Sequence, residues 1–295
     1  MAIKNIGFIG IGTMGKGMVQ NLLKNNFNVL AYNRTKKKIE EVKRKNLNII
    51  ETPKDACKAD VVITCVSNDA ALNDVLFSRN GVFKDIGKNN ILMDCGTTSI
   101  EFTKKINGEC NKKNVDFLDA PITGSKIGAE TGNLLFMVGG KKELFDKCMP
   151  IFNAMGKKAV YCGGNAQGQK AKIALNLAQS MILQGYLEGI ILGMKNGVGI
   201  EAMREIFENS GARTGIGSFK LPYLINRDFK PHFKLELMNK DIKLAINEIK
   251  KLDLSLPLSK EINNVFDKAM RKGWEKEDFV CIARLLEEDA GIKFK

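Results

Sequence analysis

An apolar run that breaks into evenly spaced glycines constrains this chain more than any other feature. Ile6-Gly7-Phe8-Ile9-Gly10 passes into Ile11-Gly12-Thr13-Met14-Gly15 and then into helix-forming sequence. The spacing predicts a strand, a tight turn and a helix. Gly10 permits the turn, Gly12 lets backbone N–H groups approach a pyrophosphate, Gly15 lets helix and strand pack closely, and the helix N-terminus supplies positive potential. Met14, Met18, Leu22 and Leu23 mark the apolar side of that helix, and Asn28 to Tyr32 reads as a second strand. Such a unit holds a dinucleotide, with Gly10, Gly12, Thr13, Met14 and Gly15 around the pyrophosphate.

The end of the second strand distinguishes the two nicotinamide dinucleotides. An enzyme specific for NAD places Asp or Glu there for the ribose 2′-hydroxyl, whereas this chain has Asn33-Arg34-Thr35 followed by Lys36, Lys37 and Lys38. Arg34 can grip a 2′-phosphate in bidentate fashion, Thr35 adds a hydroxyl donor, and Asn33 stands with them at the ribose position. NADP(H) is the expected cofactor. A solvated basic helix start accounts equally well for the three lysines.

Downstream, residues 60–66, 90–95, 115–120, 134–138 and 159–162 read as strands. Residues 69–77 and 142–155 read as helices, and Thr98-Ser-Ile-Glu101 has the form of a capping box opening another. Alternating strands and helices predict an α/β fold, a Rossmann-type doubly wound, mostly parallel sheet. Its ligands bind beyond the carboxyl ends of the strands, which are Val66-Ser67-Asn68, Cys95-Gly96-Thr97-Thr98 and the stretch from Asp119 to Ser125. Strand-like sequence stops at Gly163-Gly164-Asn165. A dinucleotide-binding domain over 1–164 and an all-helical substrate and dimerisation domain over 165–295 are therefore expected, with the site in the cleft between them.

Residues 167–196 read as one long interdomain helix, and residues 173–187 of it carry no charge. That stretch is too short and too polar to span a membrane. Lys172, Asn176, Gln179 and Ser180 recur at helical spacing and form a polar stripe on it. Polar groups are costly to bury without a partner, so the stripe points to function. Residues 200–209, 233–252, 257–271 and 276–288 read as further helices. Gly211, Arg213, Gly215, Gly217 and Ser218 read as a helix connection, or as a loop able to close on an anion.

Of 46 basic residues 38 are Lys and eight are Arg, spread over the whole length, and the formal net charge is +13. Specific nucleic-acid readers favour Arg and stacking aromatics, so the charge reads as a composition bias, and neither nucleic acid nor a membrane is an expected partner. Seven cysteines without a C-x-x-C indicate neither a zinc site nor a disulfide framework, and no metal is expected. Met1-Ala2-Ile3-Lys4 runs straight into the first strand, which leaves no room for a signal peptide and predicts a cytoplasmic protein. The sole histidine, His232, lies between Pro231 and Phe233 at a helix entry, where a structural role is expected.

Four motifs in order give a more specific result: G-F-I-G-I-G-T-M-G at 7–15, D-A-P-I-T-G at 119–124, G-Q-K-A-K-I-A-L-N at 168–176 and N-K-D at 239–241. Over essentially its whole length the chain resembles the β-hydroxyacid dehydrogenase family, which includes 3-hydroxyisobutyrate dehydrogenase, tartronate semialdehyde reductase and glyoxylate/succinic semialdehyde reductase. The resemblance implies that Lys172 is catalytic, that Thr123, Gly124 and Asn176 hold the substrate, and that Thr97 and Lys240 contact the cofactor; Val66 and Ser67, at the carboxyl end of a strand, are expected to bind the cofactor too. Where the family usually has Ser and a second Gly, this chain has Thr123 and Ser125, then Lys126. The hydroxyl is kept at 123, and the pocket is expected to differ at 125 and 126.

The chemistry agrees. Moving a hydride to or from a carbinol carbon requires moving a proton on its oxygen, so an acid or base must lie within hydrogen-bond reach. Lys172 on a buried helix fits that role, because burial and neighbouring cations lower a lysine's pKa toward neutrality. Asn176, one turn on, can share the catalytic work by orienting the ammonium and the substrate oxygen, and Thr123, Gly124 and Ser125 can take a carboxylate. The expected protein is an NADP(H)-dependent oxidoreductase interconverting a short aldehyde acid and its hydroxy acid, with a small anion as substrate. Association through the helical half into a homodimer or homotetramer is expected. An NADPH-binding sensor without catalysis is the alternative, and Lys172 with Asn176 argues against it.

Overall fold

The computed structural model describes residues 3–42 and 45–295. Met1 and Ala2, from which the sequence runs straight toward the first strand, lie outside them. The chain forms two compact units, the first ending at Lys172 and the second running Ile173–Lys295.

The first unit is built on one sheet of β1 (Asn5–Ile9), β2 (Asn28–Tyr32), β3 (Leu47–Ile49), β4 (Val61–Thr64), β5 (Ile91–Asp94), β6 (Asp116–Asp119), β7 (Ile122–Thr123), β8 (Leu134–Gly140) and β9 (Gly156–Gly163). The order is β3-β2-β1-β4-β5-β6-β8-β7, with β9 on β8. Strands β1 to β6 run parallel, so their carboxyl ends share one edge. Side chains alternate between faces. Phe8, Ile63 and Met93 pack with Met18, Leu22 and Phe152 on one face. Ile9, Val62 and Leu92 pack with Leu72, Leu76 and Ile106 on the other. With both faces covered, β4 and β5 are buried at every position, which is why they read as unbroken apolar runs.

Strands β6 and β7 are one strand interrupted. Leu118 and Asp119 pair with Gly140 and Gly139 of antiparallel β8, and Ile122 and Thr123 pair with Phe136 and Leu135 in the same register. The break falls at Ala120-Pro121, where proline has no N–H to donate. This carries Thr123 beyond the carboxyl end of β6.

Several boundaries differ from the sequence reading, each for a local reason. Strand β3, three residues at the sheet edge, carries too little apolar pattern to read. The helix Ile100–Lys112 is capped by Ser99, whose Oγ accepts the Phe102 N–H, rather than by Thr98, which is buried. After Thr123 the chain forms a helix that the sequence reading does not include. Gly124, at φ 139°, leads into a helix Ser125–Thr131.

The second unit contains the remainder of the long helix Gln167–Lys195 and the helices Ile200–Glu208, Gly215–Ile225, Leu235–Lys251, Pro257–Arg271 and Ala283–Ala290. Leu187, Ile190, Leu224, Ile242, Phe266 and Ile282 are among its buried side chains. The anion-loop option at 211–218 is not what forms. Thr214 accepts the Gly217 N–H and opens a helix at Gly215, and a Cβ at Gly217 would lie 2.5 Å from the Tyr186 ring. The last helical segment starts later than expected, as a short 3-10 turn Phe279–Ile282 capped by Asp278. Asp278 also forms a buried ion pair with Lys220 at 2.7 Å. Among the described residues no helix is long and apolar enough to cross a membrane.

Candidate active site

The glycine turn assigns its three glycines different tasks. Gly10 has φ 107°, and a Cβ there would lie 2.3 Å from the Cys65 carbonyl oxygen. A Cβ at Gly15 would lie 2.0 Å from the Gly10 oxygen, whereas one at Gly12 would meet nothing within 4 Å. Gly10 and Gly15 are therefore enforced by packing, and Gly12 borders open space. The helix Thr13–Lys24 begins there with no side-chain cap, so its first N–H groups face outward with Thr13 exposed and Met14 half-buried. That arrangement fits the pyrophosphate of a dinucleotide.

Asn33 accepts the Ile11 N–H at 2.9 Å and donates to the Thr35 carbonyl at 2.9 Å. Its carboxamide thus ties the glycine turn to the end of β2. Arg34 and Thr35 are left exposed, and Arg34 makes no ion pair among the described residues.

The loops after β4 and β5 touch. A Cβ at Gly96 would lie 2.8 Å from the Val66 oxygen, and Asp69 accepts the Ser99 N–H at 2.9 Å. Val66 is half-buried, Ser67 exposed and Thr97 half-buried. Beneath them lie two carboxylates on adjacent strands, Asp94 and Asp119, which are partners in the parallel register. Asp94 accepts from Thr64 Oγ1 at 2.7 Å, the Gly96 N–H at 3.2 Å and Thr98 Oγ1 at 3.4 Å. Burial pushes its carboxyl up to about 6 despite these donors. Asp119 accepts the Ala166 and Gln169 N–H groups at 2.7 and 2.9 Å, and burial raises it to about 6 as well.

Lys172 is the last residue of the first unit and is only 6% exposed. Further along the same helix, Asn176 and Ser180 are buried and Gln179 half-buried, so the stripe read from the sequence is a real buried seam. In the second unit, Asn176 Nδ2 donates to Asp241 Oδ2 at 2.6 Å, and Lys240 pairs with Asp241 Oδ1 at 2.8 Å. Asn176 Oδ1, which can only accept, takes no part in that contact. The three residues Asn176, Lys240 and Asp241 form one cluster, which the sequence placed in two separate motifs. Thr123 and Ser125 are half-buried and Gly124 exposed. Ser125 has φ 61°, a left-handed conformation that favours the glycine usual in the family. His232 serves the fold, its N–H donating to Asp278 Oδ2 and its ring packing on Phe219 and Tyr223.

Sequence reasoning missed Asp94 and Gln169. Asp94 is hidden at the end of an apolar run. Gln169 lies in the G-Q-K-A-K motif, one turn before Lys172, and that spacing was the available signal.

Comparison with known proteins bears on the whole chain. Residues 5–164 match the NAD binding domain of 6-phosphogluconate dehydrogenase, and residues 166–286 match the NAD-binding domain of NADP-dependent 3-hydroxyisobutyrate dehydrogenase. The chain is 33% identical to the uncharacterized oxidoreductase YkwC of Bacillus subtilis, covering 96% of this chain and 98% of the relative. It is 31% identical to glyoxylate/succinic semialdehyde reductase 1 of Arabidopsis thaliana, covering 94% and 96%. In fold it is similar to 3-hydroxyisobutyrate dehydrogenase from Salmonella typhimurium, with a TM-score of 0.87 at 21% identity over 96% of this chain and 99% of that one. The glycine turn, the four ordered motifs and these matches together establish that the chain belongs to the β-hydroxyacid dehydrogenase family, as an oxidoreductase with a nicotinamide cofactor.

Proposed function

We propose that the protein uses NADP(H) to interconvert a short aldehyde acid and its hydroxy acid, with Lys172 as general acid and base. The observation that carries this reading is a buried lysine one helical turn before an asparagine whose carboxamide orientation is held by a buried aspartate. When bound, the reduced nicotinamide supplies a hydride. Lys172 gives its proton to the carbonyl oxygen in reduction and takes it back in oxidation. Asn176, with Nδ2 committed to Asp241, offers Oδ1 to orient an ammonium or hydroxyl donor. Thr123 Oγ1, with Gly124 and Ser125, anchors the substrate carboxylate. Arg34 and Thr35 take the 2′-phosphate, Asn33 braces the turn, and Val66, Ser67, Thr97 and Lys240 line the cofactor. On this reading the protein is a cytoplasmic homodimer or homotetramer acting on a small anion. The exposed Leu252, Leu254, Leu256 and Leu258 support an association surface in the helical unit.

The test is NADPH consumption over succinic semialdehyde, glyoxylate, tartronate semialdehyde and methylmalonate semialdehyde, with butanal as the aldehyde lacking a carboxylate. At least one acid is expected to turn over well ahead of butanal. Thr123→Val should raise KM for that acid, by a loss of roughly 0.5–3 kcal/mol of hydrogen bonding, and scarcely touch butanal. Equal losses for both would assign Thr123 to the fold.

Cofactor choice is tested separately. Arg34→Asp should weaken NADPH by roughly 1.5–3 kcal/mol, the worth of a hydrogen bond to a charged group, and leave NADH much less affected. Equal wild-type affinity for the two cofactors in a fluorescence titration would sink the assignment.

A further inference from the structure

The start of the long helix is locked to the strand ends by more than chain continuity. Gln169 is fully buried. Its Oε1 accepts the Thr98 N–H at 3.2 Å, and its Nε2 donates to the Gly96 carbonyl at 2.8 Å. One side chain therefore grips the backbone on both sides of Thr97. Its own N–H is held by Asp119 Oδ2 at 2.9 Å, next to the Ala166 N–H on Oδ1. The fit is close on every side. A Cβ at Gly168 would lie 2.4 Å from the Met137 oxygen and 2.7 Å from the Asp119 oxygen, and one at Gly139 would lie 2.5 Å from Asp119 Oδ1. Lys172 follows Gln169 by three residues, about 4.5 Å of helix rise.

We propose that Gln169 is a positioning residue that sets the Thr97 loop in register with Lys172, so that the loop lining the cofactor and the proton donor are placed by one clamp. This rests on the catalytic reading of Lys172. The physical reason is that a reacting pair tolerates little displacement. A shift of about 1 Å can cost about 100-fold in rate, and Asp94 and Asp69, which hold Gly96 and Ser99, do not tie the loop to the helix that carries Lys172. Using both ends of one carboxamide fixes the loop's direction as well as its distance, because Oε1 can only accept and Nε2 can only donate.

Gln169→Leu keeps most of the volume and removes both hydrogen bonds. Gln169→Glu restores both when protonated, its hydroxyl donating to the Gly96 carbonyl, and fails when ionised. The titratable groups facing this position are Asp94 at the end of β5 and Asp119 at the end of β6, with Lys172 on the same helix. Three measurements on the full-length protein decide the matter: amide exchange at Thr98, kcat against KM for NADPH, and the pH dependence of kcat. The leucine variant should show faster exchange at Thr98 and a kcat lowered roughly 10- to 100-fold, with KM for NADPH little changed. The glutamate variant should approach wild-type kcat at low pH and fall progressively below wild type as pH rises, a limb in the ratio of the two from which the pH dependence of the shared groups cancels. A residue serving only the fold would lower thermal stability without adding that limb. The proposal is overturned by unchanged Thr98 exchange, by faster exchange with kcat within about twofold of wild type, or by a glutamate variant without the new limb. If the leucine variant does not fold, the glutamate variant alone decides. Wild type inactive on every aldehyde acid would instead refute the catalytic reading, and Thr98 exchange would still show whether the clamp exists.

Discussion

Lys172→Met is expected to lower kcat by about 100-fold or more, since a positioned general acid contributes about 10²–10⁴, and to leave NADPH affinity nearly unchanged. Methionine matches the straight chain and volume of lysine, so the variant opens no cavity. It also removes a charge from a position only 6% exposed, where an ammonium is costly to hold. Turnover is therefore expressed per folded molecule, which takes any change in stability out of the comparison. This combination separates the functional role from the structural one: a lysine retained for packing or ion pairing would give a destabilised variant with near-normal turnover per folded molecule. Stopped-flow NADPH binding, thermal unfolding and steady-state kinetics on one preparation make the comparison. Turnover within about tenfold of wild type falls below that catalytic range and would return the proton to another donor.

The fold was legible because its constraints are local and periodic. The glycine turn announces itself through backbone room, and the structure shows that room to be unequal: closed at Gly10 and Gly15, open at Gly12. Strands β4 and β5 read as strands because burial on both faces leaves three consecutive apolar residues in each, with a polar residue, Thr64 or Asp94, only at the carboxyl end. The site was legible where a motif keeps its residues in sequence, as with Lys172 and Asn176 on one helix. It was not legible where residues meet through topology. Asp241 orients Asn176 from 65 positions away, and Gln169 reaches Gly96 from 73 positions away. No spacing rule joins such pairs, because the chain between them is a whole succession of strands and helices. Thr98 shows the same limit at short range. Its position in a capping box pattern is correct by composition, yet the buried Asp94 draws its hydroxyl inward and the cap passes to Ser99.

Asp94 gives the second large effect, on stability and with a definite sign. Burial raises its carboxyl from 3.8 to about 6 in the folded protein, so between those values the native state binds more protons than the unfolded chain. Stability contributed by this group is therefore fully present below about pH 4 and lost as pH rises through about 6. The difference of about two pH units corresponds to about 3 kcal/mol. Asp94→Asn removes the titration while keeping the geometry. The carboxamide oxygen of the variant can accept from Thr64 Oγ1 and the Gly96 N–H, and its amide nitrogen can donate to Thr98 Oγ1, which turns its own proton toward Thr103 at 3.3 Å. Asp119 titrates in the same range, and loss of the Asp94 charge, one of the influences that raise it, lowers its carboxyl in the variant and adds to the gain with the same sign. The expected outcome is that the variant gains about 3 kcal/mol relative to wild type between pH 4 and pH 8, read from urea unfolding at each pH. A difference that stays flat across that range would mean that Asp94 remains ionised at pH 4 in the folded state, with its three donors outweighing its burial.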